Sequence, residues 1–328
     1  MITLKNSFRK SDKNMVSLLA IAIGIVAIMT AITPEFLTGS NISSMAFQFP
    51  EFGILCFGMM FCMISGGIDL SLVGAANLSG IVAAVIITGM GKSSFSVIVG
   101  IAAAVVVGAL CGLLNGYLIG QLQIPAMLVT LCGGQLFSGL GLAITKGPAI
   151  TGMPNSVLAI SNGSLGVIPY SLLIYIFVAL ALNFVLKYTV YGQQLTFMGT
   201  NATASRYTGI NNLRVTMLTY MLSGIAAAIA GIIIISHYGS AKSDYGTSYT
   251  LLALLIVVLG GVAPLGGKGK VLGVTLSVII LQLISSAFNI LRFNSFFKTL
   301  AWGLLLIVVM VVKSVNQDYS MKFWRKKL

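Results

Sequence analysis

Residues 95–120 read FSVIVGIAAAVVVGALCGLLNGYLIG, without a single charged side chain. The hydrocarbon core of a bilayer, about 30 Å thick, is crossed by roughly 20 apolar residues in a helix, so this stretch is long enough to span. Gly108, Gly112, Gly116 and Gly120 recur every fourth residue and draw a stripe of minimal side chains down one face. Helices in lipid associate through close backbone approach rather than through a hydrophobic driving force. The stretch therefore predicts a spanning helix packed tightly against another helix of the same subunit. Gly224/Ala228 and Ala227/Gly231 repeat the device further along the chain.

The rest of the sequence extends this reading to a many-helix bundle. Of 328 residues only 8% are charged, 57% are hydrophobic, and the mean hydropathy is +1.02. Such a chain has too little polar surface for a soluble protein and too much apolar surface to stay disordered. An all-α polytopic membrane protein remains. Ten segments have the length and composition of spans: Met15–Thr33, Ala46–Ser65, Asp69–Thr88, Phe95–Ile119, Pro125–Thr145, Pro169–Lys187, Val215–Ser236, Thr247–Val262, Val271–Ile290 and Phe297–Val312. The eighth is short, which points to a tilted, broken or partly re-entrant helix. The organisation is a basic leader over 1–14, one transmembrane domain over 15–314, and a basic tail over 315–328. The first span follows Lys5, Arg9, Lys10 and Lys13 and reads as a retained signal anchor.

Basic residues set the expected orientation. With the N-terminus in the cytoplasm, ten spans return the C-terminus there. The cytoplasmic segments then hold 14 Lys and Arg residues against 5 outside, where Lys92, Lys146, Lys242, Arg292 and Lys298 fall. The net charge of +13 is thus a topology signal rather than a nucleic-acid signal. The tail is expected to rest Phe323 and Trp324 at the headgroup boundary, with its cations against anionic lipid.

Several chemistries are excluded by their missing parts. Cys56, Cys62, Cys111 and Cys132 all sit in apolar runs, no C-x-x-C pair exists, and His237 is the sole histidine. Buried thiols are the expectation, with no metal site. Two strings approach a phosphate-binding loop. Gly91-Lys92-Ser93 has Ile86 where the first glycine is needed, and the 260–270 stretch has Gly267 where lysine is needed and Gly269 after Lys268. Neither supplies the phosphate cradle and magnesium ligand together. The chain is expected to hold no cofactor, to have no catalytic residues and to hydrolyse no ATP.

Three places carry candidate function. Asp69 lies in SGGIDLS (65–71), where Gly66 and Gly67 break the helix between two spans. A carboxylate at membrane depth costs on the order of 2.5–3.5 kcal/mol on insertion scales, so it needs a partner or a cavity. Asp69 is expected to cap the third span, a role compatible with the substrate pathway. It is also read as the single acidic residue near a span centre or hinge, which argues against a proton-driven carrier. The segment 188–214 is the longest inside loop. Within it Asn201 is expected to cap a short helix from Ala202 to Thr208, and Gly209 to close it in the left-handed conformation. The small faces of Ala202, Ala204 and Ser205, with Arg206 beside them, suit seating in a partner's groove. Outside, 145–168 reads as an ordered polar loop. Asp244, Tyr245 and Tyr249 then cluster ahead of the eighth span, where sugar contact and an interfacial aromatic belt explain them equally.

Four strings in order, SGGIDLS (65–71), GLLNG (112–116) with IPAMLVTL (124–131), GTNATASRYTGI (199–210) and VVLGGVAPLGGKG (257–269), resemble the permease subunit of simple-sugar ABC importers of the ribose, galactose and xylose type. The resemblance covers nearly the whole chain. It implies a vitamin-B12-permease-like bundle of about ten helices with internal inverted repeats. It implies a pore formed with a second permease copy or a sister permease, an ATP-binding subunit beneath that uses ATP and Mg, and a solute-binding protein outside. The 199–210 string resembles the cytoplasmic coupling loop, with Asn201, Ala202, Arg206 and Gly209 at matching positions. Thr250 and Leu252 stand where that family often has an acidic pair, and Ser138 where an arginine is common. SHYGSAKSDYGTSY (236–249) resembles the autoinducer-2 branch. A secondary transporter or channel acting alone, for a small polar solute, is the competing class.

Overall fold

The computed structural model describes the backbone of residues 2–325 apart from residue 167, and side chains over 15–311 apart from 167 and 295. The side chains of the basic leader and of the basic tail lie outside the described residues. The chain is a bundle of helices: α1 (Ile2–Ile32), α2 (Gly39–Ile64), α3 (Leu72–Gly89), α4 (Ser94–Gly120), α5 (Ala126–Thr145), α6 (Asn155–Asn162), α7 (Tyr170–Tyr188), α8 (Val190–Thr200), α9 (Ala202–Tyr207), α10 (Asn212–Tyr238), α11 (Tyr249–Leu259), α12 (Val271–Ile290) and α13 (Ser295–Arg325). Eight of them have the length and apolarity to cross a membrane among the described residues. Of the other two expected spans, Tyr249–Leu259 is a shorter apolar helix, and the other lies in α13, whose described part Phe296–Val311 is apolar. At 1.5 Å per residue α11 is only about 16 Å long, half the thickness of a hydrocarbon core. The shortness expected of the eighth span is therefore real.

Burial grades from the centre outward. α2, α3 and α10 are mostly buried, while α1, α5 and α7 keep most of their surface outside the chain's own packing. Large apolar side chains such as Ile98, Leu110, Phe177 and Phe184 cover that outer surface, as a lipid-facing ring requires. The main core joins Phe57, Met60 and Phe61 of α2 to Leu72 and Ala76 of α3, Ala227 and Ile233 of α10, and Leu255, Val258 and Val278 of α11 and α12.

The glycine stripe explains why α10 is central. A Cβ at Gly112 would stand 2.0 Å from the Tyr220 carbonyl oxygen, and one at Gly108 would stand 2.3 Å from that of Gly224. α4 and α10 thus touch backbone to backbone, within the subunit as the sequence predicts. Gly231 turns a second small face of α10 toward α3, where a Cβ would meet the Ala76 carbonyl oxygen at 2.2 Å.

At one end of the bundle, the described residues of the 146–169 connection carry short strands and a helix. Two-residue strands β1 (Ile150–Thr151), β2 (Ser164–Leu165), β3 (Ile168–Pro169) and β4 (Ser240–Ala241) pair antiparallel as β1 with β4 and β2 with β3. Between them α6 is pinned to the end of α10, because Ser236 Oγ donates to the Val157 carbonyl at 2.6 Å and accepts from Ser161 N–H at 2.7 Å.

The thiols follow expectation in part. Cys56, Cys62 and Cys111 are buried, but Cys132 is exposed, because it lies on the outward face of α5 beside Leu128, Leu131 and Leu136.

Candidate functional site

The break between α2 and α3 carries the first candidate. Gly66 takes φ +89°, which only glycine adopts without strain, and turns the chain out of α2. A Cβ at Gly67 would stand 2.3 Å from Tyr220 Oη, so the turn is pressed against α10. Asp69 follows, 2% exposed. It is not the cap of α3. The residue at the cap position is Ser71, and Asp69 lies two residues earlier. Its Oδ1 accepts from Ser71 N–H at 3.0 Å and from Ser71 Oγ at 2.6 Å, and its Oδ2 accepts from Ser223 Oγ of α10 at 2.7 Å. Asn115 of α4 donates to Ser71 Oγ at 2.8 Å, and Thr130 of α5 donates to the Ile68 carbonyl at 3.0 Å. Instead of closing one helix end, the carboxylate ties the α2–α3 hinge to α10, with α4 and α5 bound to the same turn. The buried Tyr220 Oη beside it has no hydrogen-bond partner among the described residues.

The second candidate is the 188–214 segment. It is two helices rather than a loop with one. α8 is opened by Thr189, whose Oγ1 accepts from Gly192 N–H at 3.2 Å, and it buries Leu195 and Met198. α9 follows as expected. Asn201 Oδ1 accepts from Ala204 N–H at 2.9 Å, Gly209 takes φ +84°, and the Gly209 and Ile210 N–H groups return to the Arg206 and Ser205 carbonyls. That pair of bonds is the Schellman termination. Ser205 Oγ and the Ala202 carbonyl are held by Asn212 at 2.5 and 2.7 Å, which fixes α9 to the start of α10. Ala202, Ala204 and Arg206 are exposed, and Tyr207 is 89% exposed.

The third is a cavity of about 330 Å³ at the end of the bundle opposite α9, where α10 ends and α11 begins. Its floor holds Glu51, 4% exposed, on α2. Glu51 Oε2 meets His237 Nδ1 at 3.1 Å, and Oε1 accepts from Tyr249 Oη. Gln48, Tyr238, Gln282, Ser285 and Trp302 line the rest. Asp69 is therefore not the single acidic residue within the spans. The sequence reading missed Glu51, although FPEFG (49–53) places it five residues inside the second expected span. Of the three expected solute contacts only Tyr249 lines this cavity. Tyr245 stacks on Tyr238 at 4.8 Å between ring centres and pairs its hydroxyl with Ser240. Asp244 is exposed and bonds Lys242 at 2.8 Å, and that hydrogen bond raises the lysine above its ordinary pKa.

A smaller cavity of about 210 Å³ opens between α3, α5 and the 243–250 segment, lined by Gln135, Ser138, Ser243, Thr247 and Thr250. Asn77 of α3 anchors that segment by donating to the Ser243 and Tyr245 carbonyls, each at 2.9 Å.

The family described as branched-chain amino acid transport system, permease component, matches residues 41–312. The chain belongs to that family. Among curated relatives, the ribose import permease protein RbsC of Escherichia coli K12 is 30% identical over 310 residues, 93% of this chain and 94% of the relative. RbsC of Bacillus subtilis 168 is 32% identical over 290 residues, covering 88% and 89%. The L-arabinose transport system permease protein AraH of Escherichia coli K12 is 30% identical over 284 residues, covering 87% and 85%. No solved structure matches the chain. The permease family thus spans the hinge, the α8–α9 segment and both cavities alike.

Proposed function

We propose that this permease is the membrane-spanning subunit of an ATP-driven importer for a simple sugar, works with a second permease copy or a sister permease, and receives its energy from a separate ATP-binding subunit. The observation that carries the reading is the near end-to-end similarity to permeases named for ribose and L-arabinose. The α8–α9 segment supports it, because a short helix locked at both ends and exposed along Ala202, Ala204 and Arg206 is built to be gripped from outside. Lys187, Arg206, Arg214, Lys268 and Lys270 gather at this end by topology, which favours its placement in the cytoplasm. The opposite end, with α6 and the paired strands, then faces a solute-binding protein outside. No ATP or Mg is held by this chain in this reading.

A carrier acting alone is favoured by one observation, the pairing of buried Glu51 with the partly exposed His237, since intramembrane acid and histidine residues mark proton relays. Reconstitution separates the two. Proteoliposomes holding the permease, its ATP-binding subunit and its solute-binding protein should take up labelled ribose, arabinose, galactose or xylose only with ATP inside the compartment that the ATPase faces. Uptake by the permease alone, driven by a proton gradient and indifferent to ATP, would overturn the importer reading.

A further inference from the structure

The 330 Å³ cavity stands at the end of a polar seam that nothing in the coupling machinery needs. Asn41, Ser44, Gln48 and Glu51 follow one another on a single face of α2, at the three- and four-residue steps of a helix. Gln282, Ser285, Ser286 and Asn289 do the same on α12. The two rows meet: Ser286 Oγ lies 3.0 Å from Asn41 Oδ1, Gln282 Nε2 lies 3.4 Å from Gln48 Oε1, and Gln48 also reaches Ser44 Oγ at 3.0 Å. Lys298 of α13 bonds Asn289 at the outer end of the row. Glu51, Gln282 and Ser286 are buried, and burying polar groups inside an apolar bundle is costly unless they are paired or wetted. The seam runs inward from the loop end and stops at Glu51, beneath the cavity.

The cavity has the parts that a sugar ring requires. Side-chain amides of Gln48 and Gln282 and the hydroxyls of Ser248 and Ser285 offer donors and acceptors together, while the Tyr238, Tyr249 and Trp302 rings offer apolar faces for C–H groups. Its volume sits at the small end of ligand cavities, which suits one monosaccharide. Pro50 removes one helical N–H just before Glu51, so the Ala46 carbonyl lacks its usual α2 partner. The half-length α11 leaves the space above its first residue, Tyr249, for the cavity rather than for more helix.

We propose that this cavity binds a single pentose or hexose within the permease itself, contacted by Gln48 and Gln282 and framed by Tyr238 and Trp302, with Glu51 as a positioning residue that fixes the Tyr249 and His237 side chains. The proposal rests on the sugar-permease reading, and the test is arranged so that the two fail separately. Ser285→Cys, and Ser248→Cys as a second reporter at the rim, are made in a Cys132→Ala background, which removes the exposed native thiol. The purified permease in lipid nanodiscs is treated with a membrane-impermeant thiol reagent, with and without D-ribose, L-arabinose, D-galactose or D-xylose. One of these sugars, at ten times its dissociation constant, should slow modification roughly tenfold, since about one site in eleven stays free. Glu51→Gln, which keeps an acceptor for Tyr249, should need more of that sugar for the same protection, and Glu51→Leu should lose protection. If ATP-driven uptake of a sugar is found while neither reporter is protected by any sugar of the four, the site is refuted and the importer reading stands. Protection without ATP-driven uptake leaves the site and refutes the importer. Reporters that never react show a sealed cavity and also refute the site, and wild-type protection in Glu51→Leu removes Glu51 from it.

Discussion

Adding one methyl group to the α4 stripe tests whether the α4–α10 contact holds the bundle together. At Gly112 the new Cβ would lie 2.0 Å from the Tyr220 carbonyl oxygen and 2.7 Å from its carbon, about 1.4 Å inside ordinary contact. Both obstacles are backbone, so no rotamer relieves them, and the two helices must separate. Overpacking typically costs about 1–3 kcal/mol, and a backbone clash of this depth belongs at the top of that range. The stripe should also be graded. Gly108 meets a carbonyl oxygen at 2.3 Å and Gly116 the Met217 Cα at 2.8 Å, whereas Gly120 meets first the flexible Leu213 Cδ1 at 2.8 Å. Gly139 on α5 has open space around it and serves as control, where alanine should be neutral or favourable by about 0.5–1 kcal/mol. Thermal unfolding of the purified variants in one detergent should therefore rank Gly112→Ala lowest, then Gly108→Ala, Gly116→Ala and Gly120→Ala, with Gly139→Ala at or above wild type. Equal midpoints for Gly112→Ala and Gly139→Ala would refute the account.

Asp69→Asn should keep most stability and transport, because its side-chain oxygen still accepts from Ser71, whereas Asp69→Leu strands the Ser71 and Ser223 donors at about 1–3 kcal/mol each and should lower membrane yield and melting temperature. Gly209→Val, which cannot take φ +84° without strain, and Ala204→Trp, which adds bulk to the exposed face of α9, should insert normally but lose co-purification with the ATP-binding subunit or its solute-stimulated hydrolysis. Wild-type assembly and coupling in both would move the contact off α9. The purified permease without partners should release no phosphate from ATP above background. Hydrolysis abolished by Lys92→Ala together with Lys268→Ala would overturn the reading of the two incomplete loops.

The helices whose apolar residues run all round were legible to within a residue or two. α4, α5, α7 and α12 begin and end almost where hydropathy placed them. α10 starts three residues before the expected span because Asn211 caps it, accepting from Arg214 N–H at 3.0 Å, and a cap is polar. α2 starts seven residues early for a related reason. Asn41 and Ser44 lower the apolarity of its first turns and look like the end of a span, although they continue the face that carries Gln48 and Glu51 on one unbroken helix. The same face conceals Glu51, so the averaging that shortened α2 also hid the buried acid and its cavity. A helical-face reading of residues 41–51 would have placed Glu51 on that polar face. α8 was missed because VYGQQLTFMGT has few strongly apolar residues and buries only Gly192, Leu195 and Met198. Asn201 and Gly209 were legible because cap and termination chemistry is local, whereas the Asp69–Ser223 bond joins positions 154 residues apart and no local pattern announces it.

Backbone contacts join the α9 segment, the candidate contact with an ATP-binding subunit, to the 263–270 turn. Gly267 N–H donates to the Ile64 carbonyl at 2.8 Å, and a Cβ at Gly199 would stand 1.8 Å from that same oxygen and 2.6 Å from Gly267 N. Gly266, at φ +90°, is pressed between the Gly199 carbonyl and Gly66. The end of α8, the end of α2 and the glycine turn therefore form one knot that only glycine permits. One residue separates Gly199 from the Asn201 cap of α9. On the other side, Ile64 leads through Gly66 and Gly67 to Asp69, which holds α10 through Ser223. A displacement of α9 thus meets a contiguous chain of backbone contacts before it meets any flexible side chain, and close-packed contacts transmit displacement rather than absorb it. A push at either surface element reaches the same hinge. The knot also supplies the reason for glycine at 199, 266 and 267, while Gly66 is required by its φ of +89°.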